Sequence, residues 1–384
     1  MRSNFFFNKQ SGVSLLELLI GMVLGLAVLV GLSSVYISAK QSFAFQNTVG
    51  HMQEDGGYAL DLIAKELRMA GFAGCRGVDS STVASITTYF PASIISPQPT
   101  AIATANPLAT LEPTDSLVTV QPLTANNFIR GYDQAPTGFF STTPNSPTPS
   151  HALFFAGGSP DVMSTNAAMA STNSDLSLSS DPFSWSGKTM TFIASDCSTS
   201  DIFQGQLSST FQLAHDTTQG NSANSFTNAT VYGTNTMVMP MQWNMLYAAT
   251  RSGASTPSLF RVFFDGNSRK NEEELVANVE ALRFHYGVNT QINSATTLPT
   301  LQPDVWYTSA AALNTAGVAN WAKVVAVRVG VMMVGSEARS NADITQTTPT
   351  LLGATYSLPS GADASRLRRE FSTTVVLRNR VSPR

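Results

Sequence analysis

From Val13 to Ala39 the chain is apolar almost without interruption. The run VSLLELLIGMVLGLAVLVGLSSVYISA holds one charged residue, Glu17, and no proline. About 20 apolar residues rising 1.5 Å each cross the hydrocarbon core of a bilayer, so this run predicts a membrane-spanning helix. A different pattern follows directly. Phe45, Val49, Met52, Gly56, Tyr58 or Ala59, Ile63, Leu67 and Ala70 recur at spacings of three and four, while Lys65, Glu66 and Arg68 lie off that stripe. The spacing predicts an amphipathic helix with one buried face. Gly56-Gly57 weakens its middle by about 1 kcal/mol per glycine and marks a place to bend. Gly71 and Gly74 supply the stop, and the first proline in the chain is Pro91. One helix from Val13 to about Ala70, roughly 85 Å long, is therefore expected. Its first half suits lipid, and its second half needs a globular cover.

Beyond the helix the pattern changes to short apolar runs between turn residues. From Val78 to about Thr250 ten prolines lie between Pro91 and Pro149 alone, and strand candidates occupy residues 116–123, 151–158, 188–194 and 234–249. STTPNSPTPS (141–150) and residues 164–181 read as loops. The pattern sharpens from Ser258. LFRVFF precedes Asp265-Gly266-Asn267, a hairpin signal. NEEELVANVEAL (271–282) carries acidic residues at its start and predicts a short helix. LRFHYGV, WAKVVAVRVGVMMVG (321–335) and FSTTVVLRNRV (371–381) predict strands of an antiparallel sheet on which the amphipathic half of the helix can pack.

Composition narrows the functional classes. Only 12% of the 384 residues are charged and the net charge is −3. Typical soluble proteins carry about 25% charged residues, so a secreted, loop-rich β domain fits better. No basic footprint for nucleic acid is present. The two cysteines, Cys75 and Cys197, form an even set in a chain that should be exported. One disulfide is the economical reading, with two buried free thiols as the alternative.

Catalytic signatures are missing. His51, His151, His215 and His285 share no ligand spacing, and no HExxH, paired CxxC or GxSxG occurs. SGKTM (186–190) fails as a phosphate loop because Pro182 stands where its first glycine belongs. DGNSRKNEEE (265–274) lacks the spacing of a calcium loop and reads as a solvated turn. No cofactor or metal is expected. Phe260, Phe263, Phe264 and Trp321 read as core. Arg366, Arg368, Arg369, Arg378, Arg380 and Arg384 read first as charges on an edge strand that discourage aggregation, and second as contacts for an acidic partner.

The leader places these patterns in a family. Arg2 and Lys9 precede Gly12, the apolar run starts at Val13, and Glu17 is the fifth residue after the glycine. This arrangement resembles the class III prepilin signal of type IV pilins and type II secretion pseudopilins. Val13 departs from the Phe or Met usual at that position. The closing ELRMAGFAGC of the helix, ELVANVEALRFHYGV, VVAVRVGVMMV and RLRREFSTTVVLRNR resemble PilW-type minor pilins, over about the first 80 and last 130 residues.

The resemblance implies an α+β, type IV pilin-like fold. Its expected parts are a leader (1–12), a transmembrane and assembly helix (13–39), the amphipathic half of the spine (40–74) and a periplasmic β-rich domain (75–384). A loop-rich insertion is expected at about 91–250. Many major pilins bend the helix at a proline in its apolar half; none stands here, so no kink is expected. The resemblance further implies cleavage between Gly12 and Val13 by prepilin peptidase and N-methylation of Val13. Glu17 would act in assembly, with other minor and major pilins, the inner-membrane assembly platform and membrane lipid as partners.

The function so implied is that of a minor pilin, a structural component and not an enzyme. It would sit in the inner membrane by a single pass with its globular domain in the periplasm, and enter the pilus, the tip included. A minor pseudopilin of a type II secretion system and a tip adhesin subunit are the alternatives.

Overall fold

The computed structural model describes residues 14–74, 92–93, 128–135, 145–147, 150–196, 199–221, 223–226, 231–267, 272–290, 302–338, 348–357 and 365–380. The leader, Val13, both cysteines, the strand candidate at 116–123 and Arg384 lie outside these residues. The chain divides into two units, Met1–Gln53 and Glu54–Arg384.

The first helix, α1, spans Leu15–Arg68, in agreement with the extent read from the apolar pattern. From Leu15 to Asn47, within the first unit, its side chains face outward all round: Leu15, Leu24, Val35 and Phe43 are 62–79% exposed. The segment has a mean hydropathy of 2.6 over its most apolar 18 residues. A helix apolar on every side needs an apolar surrounding, which is how a membrane span reads.

In the second unit α1 becomes one-sided. Ala59, Ile63, Leu67 and Ala70, members of the apolar stripe, are wholly buried. Gly56 lies under the Phe371 ring, and a Cβ there would stand 2.6 Å from it. The glycine thus permits close approach, and the helix runs through Gly56-Gly57 without a break in its assignment. Arg261 bridges Glu66 of the helix (3.0 Å) and Glu273 (2.7 Å). Gly71, in the left-handed region at φ 77°, ends the helix and donates its N–H to the Ala156 carbonyl. The Asn379 amide donates to the Arg68 carbonyl at 2.7 Å, which satisfies one of the orphan acceptors at the helix end.

The strands follow in chain order: β1 (Ala92–Ser93), β2 (Ile129–Tyr132), β3 (Asn145–Pro147), β4 (Ala152–Gly158), β5 (Met163–Ser164), β6 (Leu176–Ser177), β7 (Thr189–Ser195), β8 (Ser200–Leu207), β9 (Gln212–Ala214), β10 (Met237–Arg251), β11 (Ser258–Phe264), β12 (Glu273–Ala277), β13 (Val279–Val288) and β14 (Val305–Tyr307). A short helix α2 (Ala310–Ala316) precedes β15 (Val324–Ala338), β16 (Thr350–Leu351), β17 (Ala354–Thr355) and β18 (Arg366–Val376). The runs read at 151–158, 188–194, 234–249 and 258–264 are β4, β7, β10 and β11. The run at 321–335 is β15 shifted by three residues, and of that at 371–381 only 371–376 are strand, the end of β18, with Arg378–Arg380 a 3-10 turn.

The first 12 strands form one sheet around β10, whose early residues pair with β7 and later ones with β4 and β11. Trp243 and Phe264 stack at 5.7 Å in its main core, while Phe192, Phe203, Phe226 and Tyr232 fill a second core beneath β7 and β8. A four-stranded antiparallel sheet, in the order β14-β13-β15-β18, holds the C-terminal part. Phe260, Phe264 and Trp321 are buried as expected, and Phe263 is half-buried with the Arg261 guanidinium 4.8 Å above its ring.

Two expectations are corrected. The short helix expected over 271–282 is not formed: residues 273–282 are β12 and the start of β13, joined at Asn278, whose φ is 62°. Asn tolerates that left-handed backbone, and here it moves the chain from the large sheet to the small one. The acidic residues that suggested a helix start have partners on other strands. Glu273 and Glu274 pair with Arg261 and Arg251.

The second correction concerns Arg368, which is no solvated edge charge. It is 8% exposed and makes a bidentate pair with Glu280, at 2.6 and 2.7 Å. Burial and the Glu280 carboxylate push the nearby Tyr356 phenol above its usual pKa.

Candidate functional site

Of the residues read as functional (Gly12, Val13, Glu17, Cys75 and Cys197), only Glu17 falls within the described residues, in the first turn of α1. Ser14 caps this helix start: its carbonyl accepts from the N–H groups of Glu17 (3.0 Å) and Leu18 (3.1 Å), and its Oγ from Glu17 N–H (3.2 Å). Ser14-Leu15-Leu16-Glu17 is thus the S-x-x-E pattern of a capping box. The signal was present in the sequence, but the apolar run drew attention to Glu17 alone. The Glu17 side chain is exposed among Leu15, Leu16, Leu18 and Leu19, each 50–79% exposed. No side chain among the described residues pairs with its carboxylate. Chemically this is a lone anion in an apolar surround, close to a helix N-terminus whose partial positive charge favours it.

Elsewhere the histidines sort by position. His51 is exposed on α1. His215 stacks on Phe226 at 4.2 Å, and its Nε2 lies 3.0 Å from the Ser174 carbonyl. His151 and His285, 134 positions apart, come into one electrostatic neighbourhood with Asp133 and Arg283 because the start of β4 meets the middle of β13. Burial holds His151 down to about 4, with Arg283 and His285 adding repulsion and Asp133 opposing them. Burial, Arg283 and Arg328 also lower His285. Among the described residues no group of three His, Cys, Asp or Glu is placed to hold a metal ion.

A groove of about 330 Å³ runs between the end of α1 and the face of β4, β10 and β11, lined in part by Lys65, Phe155, Gln242, Asn244 and Arg261. It holds no arrangement of nucleophile and base.

Two segments match family models. Residues 246–379 match Type IV Pilus-assembly protein W, and residues 7–33 match the prokaryotic N-terminal methylation motif. The first match runs from Leu246, within β10, through β18, and the second covers the end of the leader, the Ser14 cap and Glu17. The resemblance read from the leader and the C-terminal strands is borne out by these two matches. The apolar helix and the matched motif together mark membrane anchoring. No curated protein matches the chain. A type IV-like pilin from Thermus thermophilus is similar in structure at 15% identity, over 50% of this chain and 85% of that one, with a TM-score of 0.20. The α+β assignment rests on α1 and the antiparallel sheets themselves.

Proposed function

We propose that this chain is a minor pilin, made as a prepilin and built into a type IV pilus where it helps assembly begin. The observation that carries the proposal is the lone carboxylate of Glu17 in a wholly exposed apolar helix, inside a matched methylation motif and on the same chain as a matched pilus-assembly segment. Prepilin peptidase would cut between Gly12 and Val13 and methylate the new amine. That amine, four residues from Glu17, supplies the missing cation, either within one helix or from the neighbouring subunit. Such pairing is stronger in an apolar bundle than in water because the local dielectric is low. It would set the axial register of packed helices. The partners are then other minor and major pilins and the inner-membrane assembly platform, with the β domain on the periplasmic side. The role is structural and not enzymatic.

The test is Glu17→Val, followed by intact mass, membrane fractionation and pilus counting in a strain lacking the native protein. Insertion stays intact and the mature chain still begins at Val13 with one added methyl group, while entry into filaments is lost. Full complementation by the inserted, cleaved variant would remove Glu17 from assembly, and a mature start beyond residue 30 would remove the pilin reading itself.

Cys75 and Cys197 complete the proposal. A disulfide between them closes a loop of about 120 residues and contributes on the order of 4–5 kcal/mol in the chain-entropy model. Non-reducing peptide mapping of exported protein should return the linked pair, and two free thiols would refute it.

A further inference from the structure

The start of β4 meets β13 through an unusual acceptor. The His151 N–H donates to the Leu282 carbonyl at 3.0 Å, as in a ladder of paired strands. The return bond is different: the Phe284 N–H donates to the His151 ring, at 3.2 Å from Nδ1, where a carbonyl oxygen would serve in an ordinary pair. This bond fixes the tautomer. Nδ1 must be bare to accept, so the ring proton sits on Nε2, which lies 4.0 Å from Asp133 Oδ1. Asp133 is occupied elsewhere, since its two oxygens accept from the Ala310 and Ala311 N–H groups at the start of α2 (2.7 and 2.9 Å). His151 itself is 9% exposed. One imidazole thus joins the large sheet, the small sheet and, across Asp133, α2.

From this geometry we infer that His151 is a pH-sensitive clasp between the two sheets, closed when its ring is neutral and loosened when the ring takes a second proton. Protonated Nδ1 becomes a donor facing the Phe284 N–H, also a donor, so the bond is lost and two like groups are apposed. The charged groups that face the ring are Asp133 from the segment after β2, and Arg283 and His285 from β13. His285 in turn faces Arg283 and Arg328 of β15. One carboxylate, already bonded to α2, stands against two arginines and a second histidine. A cation at His151 is therefore poorly compensated.

The direction follows from the two protonation states. Closed, the ring holds off protonation down to about pH 4; opened to water, it titrates near the ordinary 6.5. The open state binds the proton more readily, so acid favours opening. The effect begins as pH falls below 6.5 and is complete below about 4. Linkage gives roughly a twentyfold rise in the opening equilibrium between pH 7 and pH 5. This separates the junction from the rest of the sheets, whose main-chain pairs do not titrate.

The test is hydrogen exchange of the full chain in detergent, corrected for the intrinsic pH dependence of exchange. It is read on peptides covering 150–158 and 281–288. Wild type should lose protection at the Phe284 amide by about twentyfold from pH 7 to pH 5. His151→Asn places an amide oxygen close to the site of Nδ1 and cannot titrate, so the same amide stays protected at both pH values. His151→Ala removes the acceptor and exchanges faster at every pH. Protection that falls equally in wild type and His151→Asn, or that does not fall in wild type, would overturn the clasp. If His151→Ala fails to fold, the comparison of wild type with His151→Asn decides the matter alone.

Discussion

Two carboxylates sit in strongly apolar stretches of this chain, and their surroundings differ in one respect. Glu280 is the second residue of β13, next to Ala281 and Leu282, and is 5% exposed. Glu17 sits in the first turn of α1 among leucines. Glu280 has its cation within the chain: Arg368 of β18 meets it with two hydrogen bonds, and both side chains are almost fully covered. Glu17 has no such partner among the described residues, and its apolar neighbours are bare. The same contrast holds for the runs that carry them. VVAVRVGVMMV of β15 is flanked by β13 and β18 in its sheet, with Val327, Val329 and Val331 wholly buried. LLELLIGMVLGL of α1 is covered by nothing in its own unit. One apolar region is completed by the fold, and the other is completed by whatever surrounds or joins the protein. Glu280 is accordingly a matter of stability, and under the proposed function Glu17 is a matter of association.

Breaking the internal pair gives the largest expected loss of stability. Arg368→Ala leaves the Glu280 carboxylate buried without its cation and should lower the unfolding free energy by about 3–5 kcal/mol. The double change Glu280→Leu with Arg368→Met removes both charges at similar volume, and such replacements are often near neutral. Chemical denaturation of the detergent-solubilised chain measures both. A double variant as unstable as the single one would show that the pair contributes more than mutual neutralisation. Glu17→Val makes the opposite expectation: no loss of stability, and loss of assembly alone.

The contrast also explains what was legible beforehand. The helix, its buried stripe and most strands declare themselves through local spacing of apolar residues, because each run is uniform over the length of its element. Glu272 to Glu280 misled for the converse reason. Three acids ahead of apolar residues look like a helix start, yet Glu273 and Glu274 pair with Arg261 and Arg251, and Glu280 further on pairs with Arg368, partners set by strand pairing. Nothing local marks Asn278 as the residue where the chain leaves one sheet for the other. His151 likewise carries no spacing signal, since its meaning depends on Phe284 and Asp133. Ser14, by contrast, was readable from its distance to Glu17.

Ser14 supplies the smallest expected effect and the sharpest separation of two roles for Glu17. The Glu17 N–H is held by Ser14 Oγ, so residue 17 could matter through the shape of the helix start and not through its charge. Ser14→Ala removes that cap and leaves the carboxylate in place. Loss of a serine cap costs about 1 kcal/mol of helix stability, which frays the first turn without unfolding α1. If the charge of Glu17 governs assembly, Ser14→Ala enters filaments at close to the wild-type level while Glu17→Val does not. Counting pili in a null strain carrying each variant checks this, with intact mass verifying that both are processed alike. An assembly defect in Ser14→Ala as deep as that of Glu17→Val would shift the role from the carboxylate to the geometry of the capped turn. Glu17→Gln then separates the two once more: its amide keeps the N–H of residue 17 and the length of the side chain but has no charge to offer the amine of Val13. Failure of Glu17→Gln beside normal assembly of Ser14→Ala is the outcome expected of a charge that is completed from outside the fold.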